Sequence, residues 1–138
     1  MVESLPMEPA EVMRRYLEAM QAGDRETAFG FYADDLVAHV PGRSALAGDL
    51  RGRDAFVGYV RTVVAHVDRI EVELVEMLVG QERVALLVRE RLWAAGREVD
   101  MRRANVYRVR DGRIAEIWIY EADQYEVDEL LSTLGAGS

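Results

Sequence analysis

Cysteine and lysine are both missing from this chain of 138 residues, and histidine occurs only at His39 and His66. The lack of cysteine excludes disulfides, thiolate metal sites and a cysteine nucleophile. Two histidines so far apart in sequence do not make a histidine-rich metal site, and no paired metal motif stands elsewhere, so no metal is expected. Without lysine, all 17 basic residues are arginine, a usage that reads as high-GC coding bias rather than function. Basic runs are missing too. The formal net charge is −8, which argues against nucleic acid and anionic membranes as partners and reads most simply as ordinary solubility. No apolar run approaches membrane-spanning length. The N-terminal MVESLPMEPAEV lacks the basic-then-apolar pattern of a signal peptide, so a cytoplasmic protein is expected. G-x-S-x-G, P-loop and dinucleotide fingerprints are absent as well, and no cofactor is indicated.

What the chain does have is apolar residues, 50% by composition, enough for one sizeable core in a single domain spanning 1–138. A first helix is expected from near Glu8, with Pro9 suited to its first position and Val12, Met13, Tyr16, Leu17 and Met20 as its apolar stripe. Ala22-Gly23-Asp24 ends it, and Asp24 can cap a second short helix through about Tyr32. A strand is expected at Leu36–Val40, followed by a turn-rich stretch in which Asp49 and Asp54 read as turn and cap residues. A third helix from about Asp54 carries Phe56, Tyr59, Val60, Val63, Val64 and Val67 on one side; His66 lies off that stripe and reads as surface.

The period then changes to two. Strands are expected at Arg69–Val79, Arg83–Ala94, Arg97–Val109 and Arg113–Glu121, joined by glycine-containing turns. Asp123 and Glu126 form a capping-box pattern for a last helix with Val127, Leu130, Leu131 and Leu134 on its apolar side, and GAGS reads as a frayed end. Helices followed by long antiparallel strands spell an α+β domain. A curved sheet curled around helices makes a cone with a cavity at its open end.

The stretches RRYLEAMQAGDRETAFGFYADD (14–35), HVPG, LRGRDAF and RVRDGRIAEIW occur in the order seen in the SnoaL-like branch of the NTF2-like (cystatin-like) superfamily, and the chain resembles that family over nearly its whole length. The group includes ketosteroid isomerase, limonene epoxide hydrolase and polyketide cyclases. The resemblance implies the cone fold; because that fold hosts many chemistries, function must come from the site. Carried over by position, Tyr16 falls where the isomerases keep an oxyanion-binding tyrosine, and Asn105 where they keep a protonated aspartic acid. The isomerase base position is Val40, and the last-strand aspartate of hydrolases and cyclases falls at Ile119. Neither can take a proton.

The residues themselves point to a polar floor. In VDMRRANVYRV (99–109), alternation puts Val99, Met101, Arg103, Asn105, Tyr107 and Val109 on the more apolar face. An arginine turned inward needs a partner. A two-residue turn at Ala95-Gly96 sets Glu90 across from Met101, diagonal to Arg103. The pair is either a satisfied ion pair or an acid–base device. Glu121 depends on register: a two-residue Asp111-Gly112 turn points Glu116, Trp118 and Tyr120 inward, whereas a three-residue turn with a glycine bulge points Ile117, Ile119 and Glu121 inward. The family pattern favours the second. Trp118 and Tyr120 then share the outer face with Trp93, which makes that face the expected homodimer interface.

The expected catalytic set is Tyr16, Glu90, Arg103, Asn105 and Glu121, with His39 as a reserve general base that alternation points away from the cavity. Val40, Phe56, Val88, Met101, Ile117 and Ile119 are the expected substrate-binding wall. Two readings follow: a cofactor-free isomerase, cyclase or hydrolase acting on a small apolar molecule with a carbonyl, enol or epoxide oxygen, such as a polyketide- or steroid-like one; or a dimeric, non-catalytic protein binding a small apolar ligand.

Overall fold

A computed structural model describes residues 7–136, with side chains through Ser132. The elements run α1 (Pro9–Gln21), α2 (Arg25–Phe29), β1 (Tyr32–Val40), β2 (Gly48–Arg51), α3 (Arg53–Ala65), β3 (Arg69–Val79), β4 (Arg83–Ala94), β5 (Arg97–Arg110), β6 (Arg113–Glu121) and α4 (Gln124–Ala136). One six-stranded sheet has the order β2-β1-β6-β5-β4-β3. Its pairs are antiparallel except β1 and β6, the second and third strands in that order, which run parallel. This is the expected α+β cone: the sheet curves over α1 and α3 and does not close.

Local chemistry accounts for most boundaries. Pro9 opens α1, and Asp24 Oδ1 accepts from Thr27 N at 3.2 Å to cap α2. Asp123 Oδ1 accepts from Glu126 N at 3.1 Å at the start of α4. The β4–β5 turn is Ala95-Gly96 (φ 52° and 76°) and the β5–β6 turn is Asp111-Gly112 (φ 53° and 77°). Both are the twist-matched hairpin type that needs two positive φ values.

Several features differ from the sequence reading. The second helix stops at Phe29, and Tyr32 opens β1 rather than ending α2, because Ile114 N donates to Phe31 O at 2.7 Å and draws the chain into the sheet early. The turn-rich stretch holds a strand, β2, paired to β1 from Val37↔Arg51 to Val40↔Gly48. Helix α3 starts at Arg53 with Gly52 before it, so Asp54 lies in its first turn and is not its cap. Asp49 is a strand residue bonded to His39. The expected role of Leu134 and the frayed GAGS end fall outside the described side chains and residues.

The β5–β6 register gives the expected face for a different reason. The turn has two residues, yet Ile117, Ile119 and Glu121 point inward. Between Arg108↔Glu116 and Val109↔Ile114 the ladder shifts, so Ala115 is a bulge that reverses the alternation within β6. Ile114 and Ile117 are therefore both core residues, at 0% and 1% exposure.

The main core joins α1, α2, α3 and the concave sheet face through Met13, Phe29, Tyr32, Leu36, Leu86 and Ile114. Each such side chain contributes about 1.5–3 kcal/mol by burial. A second cluster of Leu92, Val99, Met101, Val127 and Leu131 seals the far end under α4. No helix among the described residues is long and apolar enough to cross a membrane.

Candidate functional site

Between α1, α3 and the strands β3, β4 and β5 lies a cavity of about 530 Å³. The α3 stripe supplies Phe56, Tyr59, Val60, Val63 and Val64, and β3 supplies Ile70 and Val72. Tyr16, Tyr32, Glu90, Arg103 and Asn105 make its polar end, with Ile119 beside them, and exposed Gln21, Gly23 and Glu73 mark its mouth. The helical period of α3 and the alternation of β3 to β6 thus turn their inner faces onto one space.

Arg103 is the centre of the polar end. Its Nη1 donates to Glu90 Oε2 at 3.0 Å, and its Nη2 lies 3.3 Å from the Met101 sulfur. Its Nε stands 2.9 Å from Glu121 Oε1 with the N–H not aimed for a hydrogen bond, which leaves Nε and Glu121 Oε2 buried without a hydrogen-bond partner. Side-chain exposure is 15% for Arg103, 17% for Glu90 and 3% for Glu121. Burial opposes the Arg103 charge, and the two carboxylates outweigh it, holding the guanidinium ionised. Burial pushes the Glu121 carboxyl above its ordinary value, against the pull of Arg103 and with the push of Glu90. One cation between two acids leaves Glu90 facing the cavity and Glu121 behind it.

The hydroxyls form a second group. Tyr16 Oη and Tyr32 Oη share a hydrogen bond at 2.6 Å, and the Tyr16 ring lies edge-on to Tyr107 at 5.8 Å. Burial, reinforced by Tyr32, holds the Tyr16 phenol far above its ordinary range; burial does the same for Tyr32 and Tyr107. Tyr59, which shares the cavity wall with Arg103 and Glu90, is pushed up to about 12 by burial. All four are neutral donors at physiological pH. Asn105 interacts with the Tyr107 hydroxyl, while its own Oδ1 is buried without a partner. Asn105 thus stands on the cavity wall with an unsatisfied acceptor oxygen beside the NH₂ donors every asparagine carries.

Of the expected catalytic set, Tyr16, Glu90, Arg103 and Asn105 share the cavity wall. Glu121 does not line it and reaches it only through Arg103. Of the expected substrate wall, Phe56 and Ile119 line the cavity; Val40, Val88, Met101 and Ile117 do not. Val88 and Ile117 are consumed by the main core, and Met101 by the cluster under α4. Val40 is buried at 5% exposure, next to Pro41, whose carbonyl Gln124 reaches from α4.

His39 faces outward, as alternation predicts, and takes no part in the cavity. Its Nδ1 lies 2.7 Å from Asp49 Oδ1 and its Nε2 2.7 Å from Glu116 Oε2. The ring stacks on Trp118 at 5.7 Å. The bonds to Glu116 and then Asp49 raise its pKa. The outer tryptophans are less bare than expected. Arg83 covers Trp118 at 4.5 Å, and Arg69 covers Trp93 at 4.8 Å, which leaves Tyr120, 57% exposed, as the open aromatic there. His66 is exposed at the end of α3, its ring bonded to Thr62 O.

Tyr32, Tyr59 and Arg25 are among the cavity residues that sequence reasoning missed. Tyr32 was hidden by a helix boundary set three residues too late. Tyr59 read only as a helical stripe residue. Arg25 carried no pattern at all. Among the described residues no cluster of histidine and acidic side chains is arranged to hold a metal ion.

The comparisons with known proteins agree with this architecture. Uncharacterised proteins of Mycobacterium tuberculosis and Mycobacterium bovis are 32% identical over 115 residues, 82% of this chain and 88% of theirs. Bal32a, from a soil-derived mobile gene cassette, superposes with a TM-score of 0.82 at 27% identity, covering 88% of this chain and 95% of Bal32a. A protein of unknown function with a cystatin-like fold from Xanthomonas campestris superposes with a TM-score of 0.84 at 21% identity, over 91% and 98% of the two chains, a likeness of fold. The family model for the SnoaL-like domain matches residues 13–117, from α1 through the centre of β6, and the chain belongs to that family.

Proposed function

We propose that this protein is a cofactor-free SnoaL-like enzyme that moves a proton on a small, largely apolar, oxygen-bearing substrate, in an isomerase, cyclase or epoxide-hydrolase type of reaction. The observation that carries the reading is the Glu90–Arg103 pair opening on an apolar-walled cavity whose floor also holds the Tyr16–Tyr32 hydroxyls and the unpartnered Asn105 carbonyl. Glu90 is the proton carrier, since it faces the cavity and the positions Val40 and Ile119 are apolar. Arg103 orients it. Tyr16 and Tyr32 supply hydroxyls that stay protonated and can stabilise negative charge developing on a substrate oxygen. Polyketide- or steroid-like molecules fit the mixture of aliphatic and aromatic wall.

Thermal-shift screening against polycyclic ketones and epoxides would find the substrate class. On a turned-over hit, Glu90→Gln is expected to lower kcat about 10²–10⁴-fold, the usual worth of a positioned acid–base group. Full turnover by Glu90→Gln, Asn105→Ala and Arg103→Met alike would sink the assignment.

The second reading is a non-catalytic binding protein, and the apolar Val40 and Ile119 favour it. Hits that bind and return chemically unchanged after prolonged incubation would establish it. In either reading we propose a homodimer through the outer sheet face around Tyr120, Trp93 and Trp118. Sedimentation of Tyr120→Arg as a monomer beside a dimeric wild type would support that interface; a monomeric wild type would refute it.

A further inference from the structure

The arginines of the cavity wall are each paired with an acid except one. Arg103 has Glu90, Arg89 holds Asp100 through Nε at 3.0 Å, and Arg91 lies 3.7 Å from Glu71 and 3.6 Å from Glu98. Arg25, half-buried at the mouth, has no ion-pair or hydrogen-bond partner among the described residues. Its acidic neighbours are engaged elsewhere. The Asp24 carboxylate is taken by the backbone N and hydroxyl of Thr27, and Glu26 binds Arg61 at 2.9 Å. A partly desolvated guanidinium left without an anion is unexpected in a chain of net charge −8. A ligand entering the cavity brings the missing group within its reach.

Resting on the reading of this cavity as a ligand site, we propose that the ligand is an apolar carboxylic acid whose carboxylate is held by Arg25 at the mouth. The orientation follows from charge. A carboxylate at the floor would meet Glu90, whereas at the mouth it meets Arg25, the one cation of the wall without an acid partner, with the Glu73 carboxylate on the same rim turned out to solvent. The apolar body then lies along Val60, Val63 and Val64, and the neutral end of the molecule reaches Glu90 and Asn105. A Cβ built on Gly23 meets nothing within 4 Å, so the turn beside Arg25 leaves room for the headgroup. Arg25 is in this sense a specificity residue, distant from the reacting end.

The test uses the full chain and two neutral-bodied probes that differ only in the headgroup, 2-naphthoate and 2-naphthamide, titrated calorimetrically at pH 7.5. The expected result is naphthoate binding about tenfold tighter, the worth of one charge-assisted bidentate contact. Arg25→Gln should bring the ratio to about one, chiefly by weakening naphthoate. Raising salt should weaken naphthoate alone. Equal binding of both probes by the wild type overturns the assignment, as does a naphthoate preference that survives Arg25→Gln. Binding of neither probe overturns the cavity reading itself, which separates the two failures.

Discussion

Replacing Arg103 with methionine removes the cation that lies between the Glu90 and Glu121 carboxylates and keeps most of the side-chain volume. The cost comes mainly from Glu121. At 17% exposure Glu90 can turn toward water in the cavity, but at 3% Glu121 cannot rehydrate in place. Leaving such a charge uncompensated costs about 3–5 kcal/mol. For a domain of this size that is a loss of roughly 10–15 °C in Tm. The pH dependence adds a sign. Burial holds the Glu121 pKa above its unfolded value, so the folded state binds more protons and stability falls as pH rises through the window above 4.5. Without Arg103 that window widens upward, and the variant should lose stability more steeply than wild type between pH 5 and 8. Urea unfolding at both pH values measures this, and Arg103→Met combined with Glu121→Gln should recover part of the deficit. A deficit under about 1 kcal/mol at pH 8 with no pH dependence would refute a desolvated Glu90–Arg103–Glu121 arrangement.

Two further outcomes are expected. His39 lies 2.7 Å from a carboxylate on each ring nitrogen, so both must donate and the ring is an imidazolium clasping β2 and β6 to β1. Its raised pKa makes its contribution full below 6.5 and lost as pH rises through the folded value, while the lowered pKa of Glu116 removes the contribution as pH falls below 4.5. His39→Gln should therefore cost most between those limits, by at most about 1 kcal/mol because the cluster is partly exposed. An NMR titration of His39 giving a pKa below 6.5 would contradict the clasp. Gly42→Ala should destabilise by about 1–3 kcal/mol in thermal unfolding, because φ is +104° and a Cβ there lands on the Asp128 carboxylate that binds Arg43 N and Gln124. An unchanged Tm would show that α4 does not depend on this contact.

The inward arginine of β5 was legible from the sequence because strand alternation is a local rule. It placed Arg103 and Asn105 on the buried face, and the Ala95-Gly96 turn set Glu90 against Met101 and within reach of Arg103. Glu121 was legible only with the family pattern beside it. Asp111-Gly112 alone points Glu116 inward, and the Ala115 bulge that reverses this lies in a run, RIAEIW, whose residues do not mark it. Helix α3 was read correctly as an apolar stripe, yet its role as the cavity wall depends on which strands it crosses.

By itself, then, the sequence determined the periods: helical stripes, alternating strands, two glycine turns and an inward charge that had to be paired. Those follow from backbone geometry and the cost of burying an ion. Tertiary structure alone decided what shares a space. Tyr32 meets Tyr16 across 16 residues, Glu116 meets His39 across 77, and Arg25 stands at the mouth of a cavity while its neighbours spend their charges elsewhere. Such meetings depend on how the sheet curves and where β6 returns beside β1, and no short stretch of chain carries that information.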